Sequence, residues 1–180
     1  MFQIDVVEKC KQNDRKAQLR LYAQYCDGMF VVATRFLGNN DDAEDVLQDA
    51  FVSAFQNIHQ FRGEVTFGAW LKRIVVNKCI DFLKSKKQEF IPLEESYMQP
   101  VEDDDWSVSK EITLAEVKEA IQKLPDKYRY VVLMFLVEGF DHKEISQVLG
   151  LSETASRTRL VRGKGYLKSV LIREGYGTGS

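Results

Sequence analysis

The sequence predicts an all-α protein: two small helical domains joined by an acidic flexible linker, the second built on a helix-turn-helix. Three observations carry that expectation. Apolar residues recur near every 3.6 positions, and no convincing alternating stretch appears. Helix-start residues (Asn39, Thr66, Asp141, Ser152) stand before apolar runs, and Gly38, Gly139 and Gly150 stand after them. From Gln88 to about Glu111 the periodicity stops, among Pro92, Pro100 and the run Glu102-Asp103-Asp104-Asp105.

The first expected helix runs from about Asn13 to Leu37, with Leu19, Tyr22, Ala23, Phe30, Ala33 and Leu37 inward and Gly38 as its stop. Asn39 or Asn40 caps the next, which reaches about Phe55. Its first turn holds Asp41, Asp42, Glu44 and Asp45, where the helix dipole favours acids. Residues 57–66 read as a polar loop containing Gly63. Thr66 caps a third long helix to about Lys84, whose apolar side is Trp70, Leu71, Ile74, Val75 and Phe82. These elements make a domain over residues 1–90, enough for a modest core. The linker is 91–112, extended by its own repulsion.

The second domain is 113–175. Helix resumes over Ile112 to Lys123, and Pro125 restarts it near the first helical position. That helix carries Val131, Val132, Phe135 and Leu136 inward and stops at Gly139. Asp141 with Glu144 three residues on is a capping box, and Ile145, Val148 and Leu149 share one face beyond it. Gly150 supplies the left-handed residue, and Ser152 caps a last helix with Ser156, Leu160, Leu167 and Leu171 inward. Residues 176–180 are a tail too rich in glycine to order itself.

Bulk properties exclude several classes. A hydrophobic content of 44% and charged content of 29% are those of a folding, water-exposed protein. No apolar run approaches the ~20 residues needed to cross a bilayer, and the first residues lack the features of a signal peptide. Cys10, Cys26 and Cys79 are odd in number, with no CxxC and no histidine pair, which fits reduced thiols rather than a disulfide framework or a zinc site. A cytoplasmic protein without cofactor or metal is expected. The net charge of −2 conceals segregation: 13 Lys/Arg against 11 Asp/Glu in residues 1–88, one against eight in 89–112, and 11 against eight in 113–180. Two mildly basic blocks flank an acidic one, a pattern suited to nucleic-acid contact.

Two segments carry the chemistry. The last helix has Arg157, Arg159, Arg162, Lys164 and Lys168 outside, and a short helix, a glycine turn and a basic second helix form the arrangement that reads a major groove. An ordinary solvated bundle gives the same pattern without DNA. On the third long helix, Arg73, Asn77 and Lys84 form a stripe distinct from the apolar side that carries Trp70, Lys86 and Lys87 extend the basic end, and the loop beside it supplies Phe61, Arg62 and Phe67. Rings beside cations suit unpaired bases, each stack being worth ~1–3 kcal/mol; the alternative is that the aromatics are core, above all Phe67. Asp41-Asp42-Ala43-Glu44-Asp45 matches a DDxxD metal pattern, yet no second acidic set accompanies it. A docking surface of Asp45, Gln48 and Asp49, flanked by Phe51 and Phe55, fits a basic partner better, and dipole compensation alone would also explain the acids. His59 and His142 lack relay partners, so no catalytic reading follows.

Taken in order, LYAQYCDGMFVVATRFLGN, DAEDVLQDAFVSAFQNIHQFRGEVTFGAWLKRIVVNKCIDFLKSKK and LPDKYRYVVLMFLVEGFDHKEISQVLGLSETASRTRLVRGKGYLKSVL resemble the extracytoplasmic-function (ECF) group of bacterial RNA polymerase sigma factors across most of residues 19–171. The resemblance implies a non-enzymatic, promoter-specific initiation factor, monomeric when free, with core RNA polymerase and promoter DNA as partners and an anti-sigma factor as a third. It implies core-enzyme contacts at Asp45, Gln48 and Asp49. Contacts to the melted promoter element are implied at Phe61, Arg62, Trp70, Arg73 and Asn77, and upstream contacts at Arg157, Thr158, Arg159, Val161 and Arg162. Thr154, Ala155 and Ser156 replace the commoner Gly-Thr-Val of the group, and Gly163 and Gly165 are expected to fray the helix beyond Arg162, at ~0.5–1 kcal/mol each. A DNA-binding repressor or activator acting as a dimer on a palindrome is the main rival reading; a magnesium enzyme centred on Asp41, Asp42 and Asp45 is the other.

Overall fold

A computed structural model describes residues 2–86 and 112–176. The chain forms two compact units, Met1–Ile91 and Pro92–Ser180. The linker of 91–112 lies almost wholly outside the described residues. Among the described residues the regular structure is entirely helical, as the periodicity predicts.

In the first unit α1 (Phe2–Lys11), α2 (Arg15–Leu37), α3 (Asn40–Gln56) and α4 (Phe67–Lys86) surround one core. Helix α1 was not foreseen. The caps are local, and those at Asn39 and Thr66 hold as read: Asn39 accepts from Asp42 N–H at 3.0 Å before α3, and Thr66 Oγ1 accepts from Ala69 N–H at 3.2 Å before α4. A further cap, not read from the sequence, is Asp14, which accepts from Lys16 and Ala17 N–H before α2. The inward face of α2 differs from the expectation. Ala17, Leu21, Met29, Val32, Ala33 and Phe36 are buried, whereas Leu19 is 67% exposed and Tyr22 and Ala23 are also outside. This long helix carries two apolar stripes, and packing on α3 and α4 selects the one that periodicity did not rank first. On α4 the core is Phe67, Leu71, Val75, Val76, Cys79 and Ile80, while Trp70, Ile74 and Phe82 are only half-buried. The segment after α3 is not all polar loop: Ile58–Gln60 form a 3-10 turn with Ile58 buried.

The second unit comprises α5 (Leu114–Gln122), α6 (Asp126–Val132) continued by a π turn (Leu133–Val137), α7 (His142–Leu149) and α8 (Glu153–Arg173). The π turn sets which side of this segment faces the core. Its wide pitch, seen in the Glu138 N–H to Leu133 carbonyl bond of 3.0 Å, rotates the face away from a 3.6 extrapolation. Leu133 and Met134 therefore enter the core, Phe135 is half-buried, and Leu136 is 46% exposed.

Helix α8 does not fray after Arg162; it runs to Arg173. Gly163 is buried where α8 crosses α6, and a Cβ there would stand 2.4 Å from Val132 Cγ2. The glycine is what allows the close approach. Tyr176, expected in the disordered tail, is tied down: its hydroxyl donates to Glu116 Oε1 at 2.8 Å and its N–H to the Leu171 carbonyl at 2.9 Å. Lys123 pairs with Glu174 beside it, so the end of the chain clasps α5. Residues 177–180 lie outside the described residues.

Candidate nucleic-acid interface

In the first unit three rings meet pairwise where the 3-10 turn delivers the chain to α4. Phe61 and Phe67 centroids are 5.6 Å apart edge to face, Phe61 and Trp70 5.5 Å, and Phe67 and Trp70 5.6 Å. Phe67 is buried, but Phe61 and Trp70 keep part of their surface in water. Tyr25, which sequence reasoning missed, leans on Phe67 at 5.4 Å. Arg62 projects from the loop into solvent. Arg73 and Asn77 are exposed three and seven residues beyond Trp70, on the same stripe of α4. The Asn77 side-chain amide donates to the Arg73 carbonyl at 2.8 Å, which fixes its rotamer along the helix. A cluster with a dry base, wet edges and flanking cations can stack a base and hold its phosphate.

The acidic stripe lies on α3, where Asp41, Glu44, Asp45, Gln48 and Asp49 are all exposed. Phe51 does not flank it; that ring is core, 4.8 Å from Tyr22, and Phe55 is half-buried. Val52 is 54% exposed instead, seven residues after Asp45, and adds an apolar end that the i, i+7 spacing could have revealed. Asp42 pairs with Lys86 Nζ at 2.9 Å, tying the start of α3 to the end of α4. Among the described residues no group of three or more His, Cys, Asp or Glu side chains could hold a metal ion.

The helix-turn-helix is α7, a turn and α8. Asp141 and Glu144 form the reciprocal capping box, Asp141 Oδ1 accepting from Glu144 N–H at 2.8 Å and Glu144 Oε2 from Asp141 N–H at 2.9 Å. Gly150 adopts φ +67° and Ser152 Oγ accepts from Ala155 N–H at 3.0 Å. Of the residues nominated for duplex contact, Arg157 is exposed, whereas Thr158, Arg159, Val161 and Arg162 are half-buried. Arg157 pairs with Glu153 at 3.2 Å. Both partners are exposed, so the pair is worth only ~0.3–0.5 kcal/mol and exchanges readily for a phosphate.

His142 is not isolated. Its Nδ1 lies 2.9 Å from Ser156 Oγ, and its ring stacks on Phe135 at 4.8 Å. Ser156 is fully buried, so the pair is a joint between α7 and α8 rather than a nucleophile and its base. Partial burial, then the charge of Arg157, holds the imidazole below its ordinary pKa; Lys164 acts in the same direction, and Asp141 and Glu153 oppose it.

The described chain is thus two helical units, one with an aromatic and cationic surface and one built on a helix-turn-helix, the second a motif shared by many DNA-binding proteins. Sequence comparison is more specific. Residues 21–89 match the Sigma-70 region 2 family and residues 114–167 match Sigma-70 region 4. The ECF RNA polymerase sigma factor SigW of Bacillus subtilis is 32% identical over 177 residues, covering 92% of this chain and 94% of the relative. SigM of Mycobacterium tuberculosis, also an ECF sigma factor, is 31% identical over 159 residues, covering 88% and 79%. The chain belongs to the ECF group of RNA polymerase sigma factors. Among solved structures, CnrH in complex with the cytosolic domain of CnrY shares the fold, with TM-score 0.59 and 24% identity over 96% of this chain and 98% of that one. The sigma factor RpoE of Bartonella quintana, in complex with the anti-sigma factor NepR, does so with TM-score 0.57 and 18% identity over 85% and 95%. No described helix is long and apolar enough to cross a membrane.

Proposed function

We propose that this chain binds core RNA polymerase and directs it to promoters, its first unit holding the melted element and its second reading the upstream duplex element. The observation that carries the reading is the half-wet Phe61–Trp70 pair beside exposed Arg62, Arg73 and Asn77, in a chain whose other unit is a helix-turn-helix. Phe61 and Trp70 stack an unstacked base, while Arg62, Arg73 and Asn77 hold its strand. Arg157 leads the duplex contact, with Thr158, Arg159, Val161 and Arg162 on the following turn. Asp45, Gln48 and Asp49, continued by Val52, dock on a basic surface of core polymerase. An anti-sigma protein is a third partner. The chain works in the cytoplasm as a monomer, needs no cofactor and catalyses nothing itself.

The test is run-off transcription from genomic fragments with core polymerase and purified chain. Initiation is expected only when the chain is present, with Trp70→Ala and Arg157→Ala each reducing it. The same Trp70→Ala variant should bind core polymerase normally, and Asp45→Ala with Asp49→Ala should not. Equal initiation with and without the chain on every template would end the proposal. A dimer on size exclusion that footprints a palindrome without polymerase would favour a repressor instead.

A further inference from the structure

Helix α1 has a buried face of Val6, Val7 and Cys10, which packs on α2 and on the 3-10 turn at Ile58–Gln60. Among the described residues its ion pairs, Lys9 with Asp5 at 2.9 Å and Lys11 with Glu8 at 2.8 Å, are internal to the helix. Its docking is therefore apolar. At ten residues it is shorter than the ~12–15 that make an isolated helix even marginal in water. Helix α1 thus exists because it is docked, and it belongs among the segments that open most easily.

The turn beneath it is the last fixed point before the aromatic cluster. Ile58 is buried, its carbonyl accepts from Phe61 N–H at 3.1 Å, and Arg62 follows directly. From the α3 side the turn is held by Asn57, whose amide donates to the Ser53 carbonyl at 2.8 Å and whose Oδ1 accepts from Gln60 Nε2 at 3.1 Å. From the other side it is held by α1. With α1 removed the turn is held from the α3 side alone, and the direction in which Phe61 leaves it is less firmly fixed.

We propose that α1 is a positioning element for the strand-holding loop, acting through the turn at Ile58 on Phe61 and Arg62. The inference rests on the reading of that loop as a contact for melted DNA. Coupling between two sites is reciprocal. Whatever undocks α1 weakens the strand, and a bound strand keeps α1 docked.

Both directions are measurable on the chain bound to core polymerase. The probe is a fluorescent single-stranded oligonucleotide carrying the non-template strand of a template on which the wild-type chain initiates. Val7→Ala is expected to weaken its binding about tenfold, within the roughly 5- to 150-fold span of couplings between sites, with affinity for core polymerase unchanged. The reverse direction uses Cys10, almost wholly buried on the docked face, its thiol pushed up to about 11 by burial and then by Asp14, so that it reacts only after α1 opens. Peptide-resolved N-ethylmaleimide labelling of the wild-type chain should show Cys10 slowed when the oligonucleotide is saturating. A Cys10 rate indifferent to bound oligonucleotide overturns the inference. So does wild-type oligonucleotide binding by Val7→Ala when Trp70→Ala has lost it, and in that case the reading of the loop survives. If Trp70→Ala itself binds the oligonucleotide as the wild type does, that reading falls and the inference falls with it.

Discussion

The two glycines of α8 have opposite reasons to be there. Gly163 faces α6, and the 2.4 Å separation between a hypothetical Cβ and Val132 Cγ2 leaves no room for alanine unless the Val132 side chain or its helix shifts. Gly165 two residues on meets nothing within 4 Å and is exposed. Gly163→Ala is therefore expected to destabilise the second unit by about 1–3 kcal/mol, the usual range for overpacking. Gly165→Ala should stabilise it by about 0.5–1 kcal/mol, because a glycine in a helix interior carries an entropic cost that alanine lacks. Urea unfolding followed by circular dichroism reads both. Adding Val132→Ala to Gly163→Ala should restore part of the loss, which separates the clash from any generic effect of alanine. Equal effects at the two positions would contradict the packing argument.

At the level of elements, what was legible in the sequence was what is decided locally. The Asn39, Thr66, Asp141 and Ser152 caps were readable because each side chain bonds an N–H within three residues of itself. So was the polar stripe of Arg73 and Asn77 on α4, although the sequence reading set Trp70 on the apolar side and the structure leaves that ring half-buried next to them. What stayed hidden was decided by partners. The choice between the two apolar stripes of α2 is made by α3 and α4, and the turn of Leu136 into solvent by a π-helical hydrogen bond, five residues apart, that no periodicity announces. Degree of burial was equally out of reach, so Phe51 could be placed beside the acidic stripe when it belongs to the core. The joint between α7 and α8 is a case of this kind, since His142 and Ser156 lie fourteen residues apart in sequence. It also sets a pH dependence. The folded chain holds His142 below the ordinary value of 6.5, through partial burial first and the Arg157 charge second. The unfolded chain therefore takes up the proton first as pH falls. The stability this neutral imidazole contributes is complete above 6.5 and declines as pH drops below it through the folded pKa. Thermal unfolding of the second unit on either side of that value should show the decline, and His142→Gln should reduce it. An unchanged pH slope in the variant would assign the effect to other groups.

On the scale of the whole molecule the chain is two units, each with its own core, joined through a stretch whose sequence carries eight acids and one lysine between residues 89 and 112. Neither candidate surface is large. The first offers two half-wet rings and a few polar side chains, and the second offers one exposed arginine followed by half-buried neighbours. Each contact alone is expected to be weak and salt-sensitive, because phosphate contacts release counterions. Under the proposed function, carrying both surfaces in one chain turns the second binding event into an intramolecular one. A tether of suitable length raises the combined affinity by about 10²- to 10⁴-fold over either contact alone, without any new contact. The consequence can be measured by inserting a protease site after Ser107, in the acidic stretch, and comparing cut and uncut protein on core polymerase. Cutting should leave the melting curve of each unit intact, since none of the described core residues lies in that stretch. Run-off transcription at limiting protein should nevertheless fall by a factor in that range, and raising the concentration of the two halves should restore it. Transcription that survives the cut at limiting protein would mean that polymerase holds the two units in place independently, and that the tether contributes nothing to the affinity.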